Sequence, residues 1–106
     1  MTRIISANLN GIRSANTKGF FNWLATQNAD IVCVQELKAQ ADVVETAFAQ
    51  TTEHQGYFHY AEKKGYSGVG IYTRHTPDEV VAGFDGGEFD NEGRYVEARF
   101  GKLSVI

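Results

Sequence analysis

Ile31-Val32-Cys33-Val34 is a continuous apolar run, bounded before by Asn28-Ala29-Asp30 and after by Gln35-Glu36. Such a run marks a strand buried on both faces, which requires apolar cover on either side of its sheet. Upstream, Arg3–Ala7 is short, β-branched at Ile4 and Ile5, and ends at the polar run Asn8-Leu9-Asn10-Gly11, as a strand entering a tight turn does. Between the two, Thr17 is placed to cap a helix reaching about Gln27. Phe20, Phe21, Trp23 and Leu24 form its apolar stripe. The order is β-α-β, with a connection long enough to cross over between parallel strands.

Asp42 to Ala49 reads as a second helix with Val43, Val44, Ala47 and Phe48 inward. Tyr57–Tyr60 and Val69–Thr73 read as strands joined by the turn Glu62-Lys63-Lys64-Gly65, and Pro77 marks a break. Residues 85–93 are a loop rich in Gly and acid. Tyr95–Phe100 is a strand, Gly101-Lys102 a turn, and Leu103–Ile106 the start of another strand. The chain therefore stops on apolar residues in mid-element, whereas domains usually end at exposed polar surface. The expectation is the front part of something longer, truncated in a strand.

With 106 residues, 42% apolar and 22% charged, the chain has the composition of one modest globular domain and not of a disordered one. A single cysteine rules out an internal disulfide, and as a mid-strand residue Cys33 reads as an inert thiol. No apolar run approaches the length of a membrane helix, and the start Met1-Thr2-Arg3 has no signal-peptide core, so the cytoplasm is the default compartment. Net charge is −3, spread over both halves. A domain held to nucleic acid by bulk electrostatics would be basic. Any phosphate-handling role must rest on a few placed cations, with a metal ion.

Four segments carry chemistry. In Gln35-Glu36-Leu37-Lys38, a carboxylate directly follows a buried strand, at the sheet edge where α/β proteins bind ligands. Glu36 is a hard oxygen ligand suited to Mg²⁺ or Mn²⁺, and Lys38 can hold a phosphate or orient Glu36. On spacing alone, a surface salt bridge at a strand end looks the same. Asn8-Leu9-Asn10-Gly11-Ile12-Arg13 ends the first strand; parallel pairing would bring Asn8 and Glu36 to one edge, with Arg13 offering a fork for phosphate. An Asn-Gly turn with a solvated Arg fits the same residues. Gly65-Tyr66-Ser67-Gly68-Val69 allows close backbone approach and a stacking Tyr66, or a plain β-turn. Asp90-Asn91-Glu92-Gly93-Arg94 presents Arg94 just before a strand, for phosphate or for a local ion pair. His54, His59 and His75 show no metal-site spacing.

Taken in order, N-G-I-R at 10–13, Q-E-x-K at 35–38, G-Y-S-G-V at 65–69 and D-x-E-G-R at 90–94 resemble the exonuclease III and apurinic/apyrimidinic endonuclease branch of the endonuclease/exonuclease/phosphatase superfamily. The resemblance implies an α/β fold, the first half of a four-layer αββα sandwich, with a mixed β-sheet and helices on one face. It implies a Mg²⁺- or Mn²⁺-dependent DNA-repair hydrolase acting on duplex DNA with abasic sites or 3′ blocking groups. Carried over by motif, Glu36 is the principal metal carboxylate and catalytic, Asn8 sits beside it as a catalytic and metal residue, and Asn10 is a secondary metal contact or stands behind the ligands. Arg13, Tyr66 and Arg94 touch DNA, and Lys38 orders the metal site and contacts DNA. Leu37 stands where many members have Thr, Ala7 where many have an aromatic, and Asn10 where some have Asp. The family's remaining catalytic groups lie beyond residue 106, so the fragment alone is expected to be inactive. The alternatives are a non-catalytic half-domain that covers an exposed apolar sheet face by forming a homodimer, and, less favoured by the motifs, a superfamily phosphatase.

Overall fold

β1 (Ile4–Asn8) and β2 (Ile31–Gln35) pair in parallel, Ile4 opposite Ile31 and Asn8 opposite Gln35. The computed structural model describes residues 3–51, 53–62, 65–82, 96–101 and 103–106. The crossover holds α1 (Ile12–Thr17) and α2 (Phe20–Leu24); α3 (Ala41–Ala47) follows β2. Then come β3 (Gln55–His59) and β4 (Val69–Thr73), which pair antiparallel, and β4 also pairs antiparallel with β2. The first sheet has the order β1-β2-β4-β3. A second sheet, β5-β6-β7, is an antiparallel meander of Glu79–Ala82, Val96–Phe100 and Leu103–Val105.

β2 is buried on both faces, as its apolar run requires. Val32 and Val34 point to the helical layer with Leu9, Ile12, Leu24, Val44 and Tyr72. Ile31 and Cys33 point the other way, to a second core with Ile71 of β4, Val96 and Ala98 of β6 and Val105 of β7. Helices, mixed sheet and second sheet thus form three successive layers of an α/β fold. The apolar sheet face expected to lie bare is covered from within the chain, and Ile31 and Ile71 are each 1% exposed. No helix among the described residues is long and apolar enough to cross a membrane.

Three local readings need correction. Thr17 does not start a helix; it ends α1, and its hydroxyl donates back to the Arg13 carbonyl (3.1 Å). The break comes at Gly19, whose φ of 92° is the left-handed conformation that stops one helix before α2 begins. Ala47 is exposed, so α3 buries Val44 with partial help from Val43 and Phe48. After Pro77, where the sequence pattern shows only a break, Glu79–Ala82 forms β5 by pairing with β6. The acidic loop at 85–93 lies outside the described residues.

Candidate active site

The polar turn after β1 and the segment after β2 emerge side by side because the two strands are parallel and in register. Backbone bonds then lace them. The N–H groups of Leu9, Gly11 and Ile12 donate to the carbonyls of Gln35 (2.9 Å), Glu36 (2.8 Å) and Leu37 (2.9 Å). The turn before β4 joins from the other side: Leu37 N–H donates to Gly68 O (3.1 Å) and Lys38 N–H to Ser67 O (2.7 Å). Main-chain bonds thus bring three chain segments together at one sheet edge.

The backbone at this edge is strained. Asn10, Glu36, Lys38 and Ser67 all have φ between 50° and 53°, a region costly for residues with a side chain. Gly68, at φ 91°, sits where an added Cβ would lie 3.1 Å from the Leu37 Cβ, and Leu37 is fully buried. Close approach of these two turns thus depends on a glycine at 68.

Four predicted side chains form one closed network. Asn8 Oδ1 accepts the Asn10 N–H (3.0 Å), which turns Asn8 Nδ2 toward Glu36, where it donates to Oε2. The Lys38 ammonium donates to Asn10 Oδ1 (2.5 Å) and lies 3.7 Å from Glu36 Oε1. Glu36 and Lys38 side chains are nearly half exposed, so the network faces solvent. Among the described residues no three His, Cys, Asp or Glu side chains converge as a metal cluster. The donor set available to a cation is one carboxylate plus neutral Asn oxygens. These hard oxygens fit a magnesium-type ion that keeps most of its waters.

Arg13 is exposed on α1, one residue after the Ile12 amide that is tied to Leu37. Tyr66 is half-buried in the turn whose next residues, Ser67 and Gly68, are bonded to the Glu36–Lys38 segment. Arg94 lies outside the described residues. A cavity of about 580 Å³ between α2, α3 and the loop before β3 touches none of these groups. His54, in its wall, is structural: buried, with Nε2 2.7 Å from the Ala29 carbonyl and Nδ1 2.8 Å from Thr51 Oγ1.

The opposite end of the sheet carries a second polar group of a different kind. Asp30 accepts the Arg3 N–H (2.8 Å) and lies 3.6 Å from both the Arg74 guanidinium and the His75 ring. Arg74 also donates to Glu53 (2.7 Å) and Asn28 (2.9 Å). The Arg3 amide, with the Arg74 and His75 side chains, holds the Asp30 carboxyl below its ordinary range, although burial opposes them. Asp30 and Arg74, at the centre of this group, are mostly buried, as in a structural brace, whereas Glu36 and Lys38 are nearly half exposed.

Residues 5–106 match the endonuclease/exonuclease/phosphatase family. The chain belongs to that family. Within it, the chain is 36% identical over 105 residues to an exodeoxyribonuclease of Bacillus subtilis, covering 98% of this chain and 40% of that protein. It is 28% identical to a DNA-(apurinic or apyrimidinic site) endonuclease of Dictyostelium discoideum, covering 98% of this chain and 28% of the relative. Among solved structures, an AP endonuclease from Archaeoglobus fulgidus superposes with a TM-score of 0.80 at 29% identity, covering 98% of this chain and 39% of that one. A 3′ phosphatase from Neisseria, bound to a product DNA hairpin, superposes at 0.81 with 26% identity, over 98% and 39% of the two chains. The chain thus spans well under half the length of these family members.

Proposed function

We propose that this chain is the N-terminal portion of a divalent-metal-dependent DNA-repair nuclease. Its substrate would be duplex DNA, cut at phosphodiesters next to abasic sites and at blocked or free 3′ ends. The chain alone is not a competent nuclease. The observation that carries this reading is the closed Asn8–Glu36–Lys38–Asn10 network at the carboxyl end of two parallel strands. The names of the relatives, exodeoxyribonuclease and apurinic-site endonuclease, support the substrate class.

Glu36 is the metal carboxylate in this reading, and Asn8 fixes its orientation through Oε2. Asn10 adds a neutral oxygen. A bound Mg²⁺ or Mn²⁺ would supply positive charge to polarise a phosphodiester and stabilise the leaving oxygen. Lys38 and Arg13 supply cations for phosphate oxygens, Arg13 with a fork that suits them. Tyr66 offers a ring to a sugar or base, and Arg94 a further phosphate contact. A single carboxylate holds Mg²⁺ weakly. No described residue is placed to activate the attacking water, so that group must come from the remaining part of the relatives' length.

Association between two copies is a second use of the same chain. Its support is the exposed apolar residues on edge strands, Ile4 on β1 and Leu103 on β7. Light scattering at tens of micromolar separates monomer from dimer.

The test of the main reading is incision of an abasic-site duplex with Mg²⁺ and with chelator. The 106-residue chain should not turn over. A version extended through the family's remaining length should cut in a metal-dependent way, and Glu36→Ala should abolish cutting. Turnover by the short chain, lost in Glu36→Ala, would overturn its incompleteness. No incision by the extended protein would overturn the nuclease reading.

A further inference from the structure

The turn that carries Tyr66 is held at its far side by a side chain that the motifs do not include. Gln40 Nε2 donates to the Ala61 carbonyl (2.6 Å), and Gln40 Oε1 accepts the Gly65 N–H (3.3 Å). One amide thus bridges Ala61 and Gly65 within the connection between β3 and β4. Gln40 itself is fixed from behind, because its carbonyl accepts the Val43 and Val44 N–H groups (3.1 and 3.0 Å) at the start of α3. Two residues earlier, Lys38 N–H holds Ser67 O, and Leu37 N–H holds Gly68 O. The segment 37–40 therefore grips the turn on both sides of Tyr66, at Gly65 by a side chain and at Ser67 by the backbone.

We infer that Gln40 is a positioning residue for DNA recognition, setting the pose of Tyr66 at the Glu36 edge by closing the turn beneath it. Gly65 and Ser67, the neighbours of Tyr66, both have positive φ, at 72° and 50°. The Ser67 anchor belongs to the backbone and survives substitution of Gln40. The Gly65 anchor is made by a side chain, so a substitution at 40 can remove it. Ala61 is buried at 3% exposure, so its carbonyl would lose its partner in a setting poor in water.

This inference rests on the proposed DNA-binding function, and two measurements on the 106-residue chain keep the two apart. The first is amide exchange of Gly65 and the ring resonances of Tyr66 by NMR. In Gln40→Ala, Gly65 exchange should accelerate about three- to tenfold, the worth of one hydrogen bond, and the Tyr66 ring signals should move. In Gln40→Glu, which keeps an acceptor for Gly65 and loses the donor to Ala61, the Gly65 effect should be smaller. Unchanged Gly65 exchange in Gln40→Ala overturns the positioning role whatever DNA does. The second is a double-mutant cycle for binding a labelled abasic-analogue duplex. Gln40→Ala should weaken binding about three- to tenfold beside Tyr66, and less than about twofold in Tyr66→Ala. Additive losses overturn the route through Tyr66. No binding by the parent chain, with Gly65 exchange responding as expected, removes the DNA role and leaves Gln40 a structural clip only.

Discussion

Glu36 and Lys38 share the left-handed backbone conformation, at φ 52° and 53°, and their charged ends meet 3.7 Å apart over the buried Leu37. The ammonium reaches Asn10 Oδ1 as well. If Glu36 and Asn10 hold a cation, as proposed, the ammonium competes with it for their oxygens. Lys38→Met should therefore raise Mn²⁺ affinity by about threefold, the scale of an exposed ion pair. Mn²⁺ titration followed by electron paramagnetic resonance reads this directly. A fall in affinity would show that the ammonium supports the ion.

Asn8 acts on Glu36 through a fixed amide, its oxygen engaged by Asn10 N–H and its nitrogen by the carboxylate. Asn8→Ala frees the carboxylate to rotate and should lower Mn²⁺ affinity about tenfold, as loss of an orienting partner does. Fold stability should change by less than about 1 kcal/mol, because the pair is exposed. Equal affinity in parent and variant would remove the positioning role.

Two glycines in one turn separate strain from crowding. Gly65 has φ 72° with open space around it, so Gly65→Ala should cost about 1 kcal/mol of backbone strain. Gly68 has φ 91° and the Leu37 Cβ close by, so Gly68→Ala should cost about 2–4 kcal/mol. Urea midpoints measure both. Equal losses would mean that Leu37 gives way freely.

Asp30 links stability to pH. Its carboxyl is held below the ordinary value of 3.8, first by the Arg3 amide and then by Arg74 and His75. A depressed carboxyl adds stability above its unfolded value and loses it as pH falls through the folded one. Asp30→Asn should therefore be less stable than the parent near neutral pH, with the gap closing below about pH 4. A gap that stays constant into acid would assign the loss to packing.

The legible parts of this chain were those set by short-range pattern. Ile31–Val34 announced a strand buried on both sides, and the core divides Val32 and Val34 from Ile31 and Cys33 as that reading requires. With a parallel β-α-β unit, the approach of Asn8 to Glu36 followed from strand direction. Other features depend on partners far away in the chain. β5 is a short Glu-Val-Val-Ala segment whose pairing is completed by β6, with Glu79 meeting Arg99. Thr17 has the chemistry of a cap, yet Gly19 two residues on decides where the helix breaks. Left-handed backbone at Asn10 agrees with its Asn-Gly turn, but at Glu36 and Lys38 it has no signature in side-chain type. Gln40 carries no signal of its own in the sequence, because its partners at Ala61 and Gly65 come from another turn.

The most direct test of the central claim is Mn²⁺-induced line broadening in the ¹⁵N spectrum of the 106-residue chain and of Glu36→Ala. Broadening should centre on residues 8–11, 36–38 and 67–68 and vanish in the variant. Broadening scattered over surface carboxylates, or unchanged in Glu36→Ala, would contradict a metal site built on Glu36.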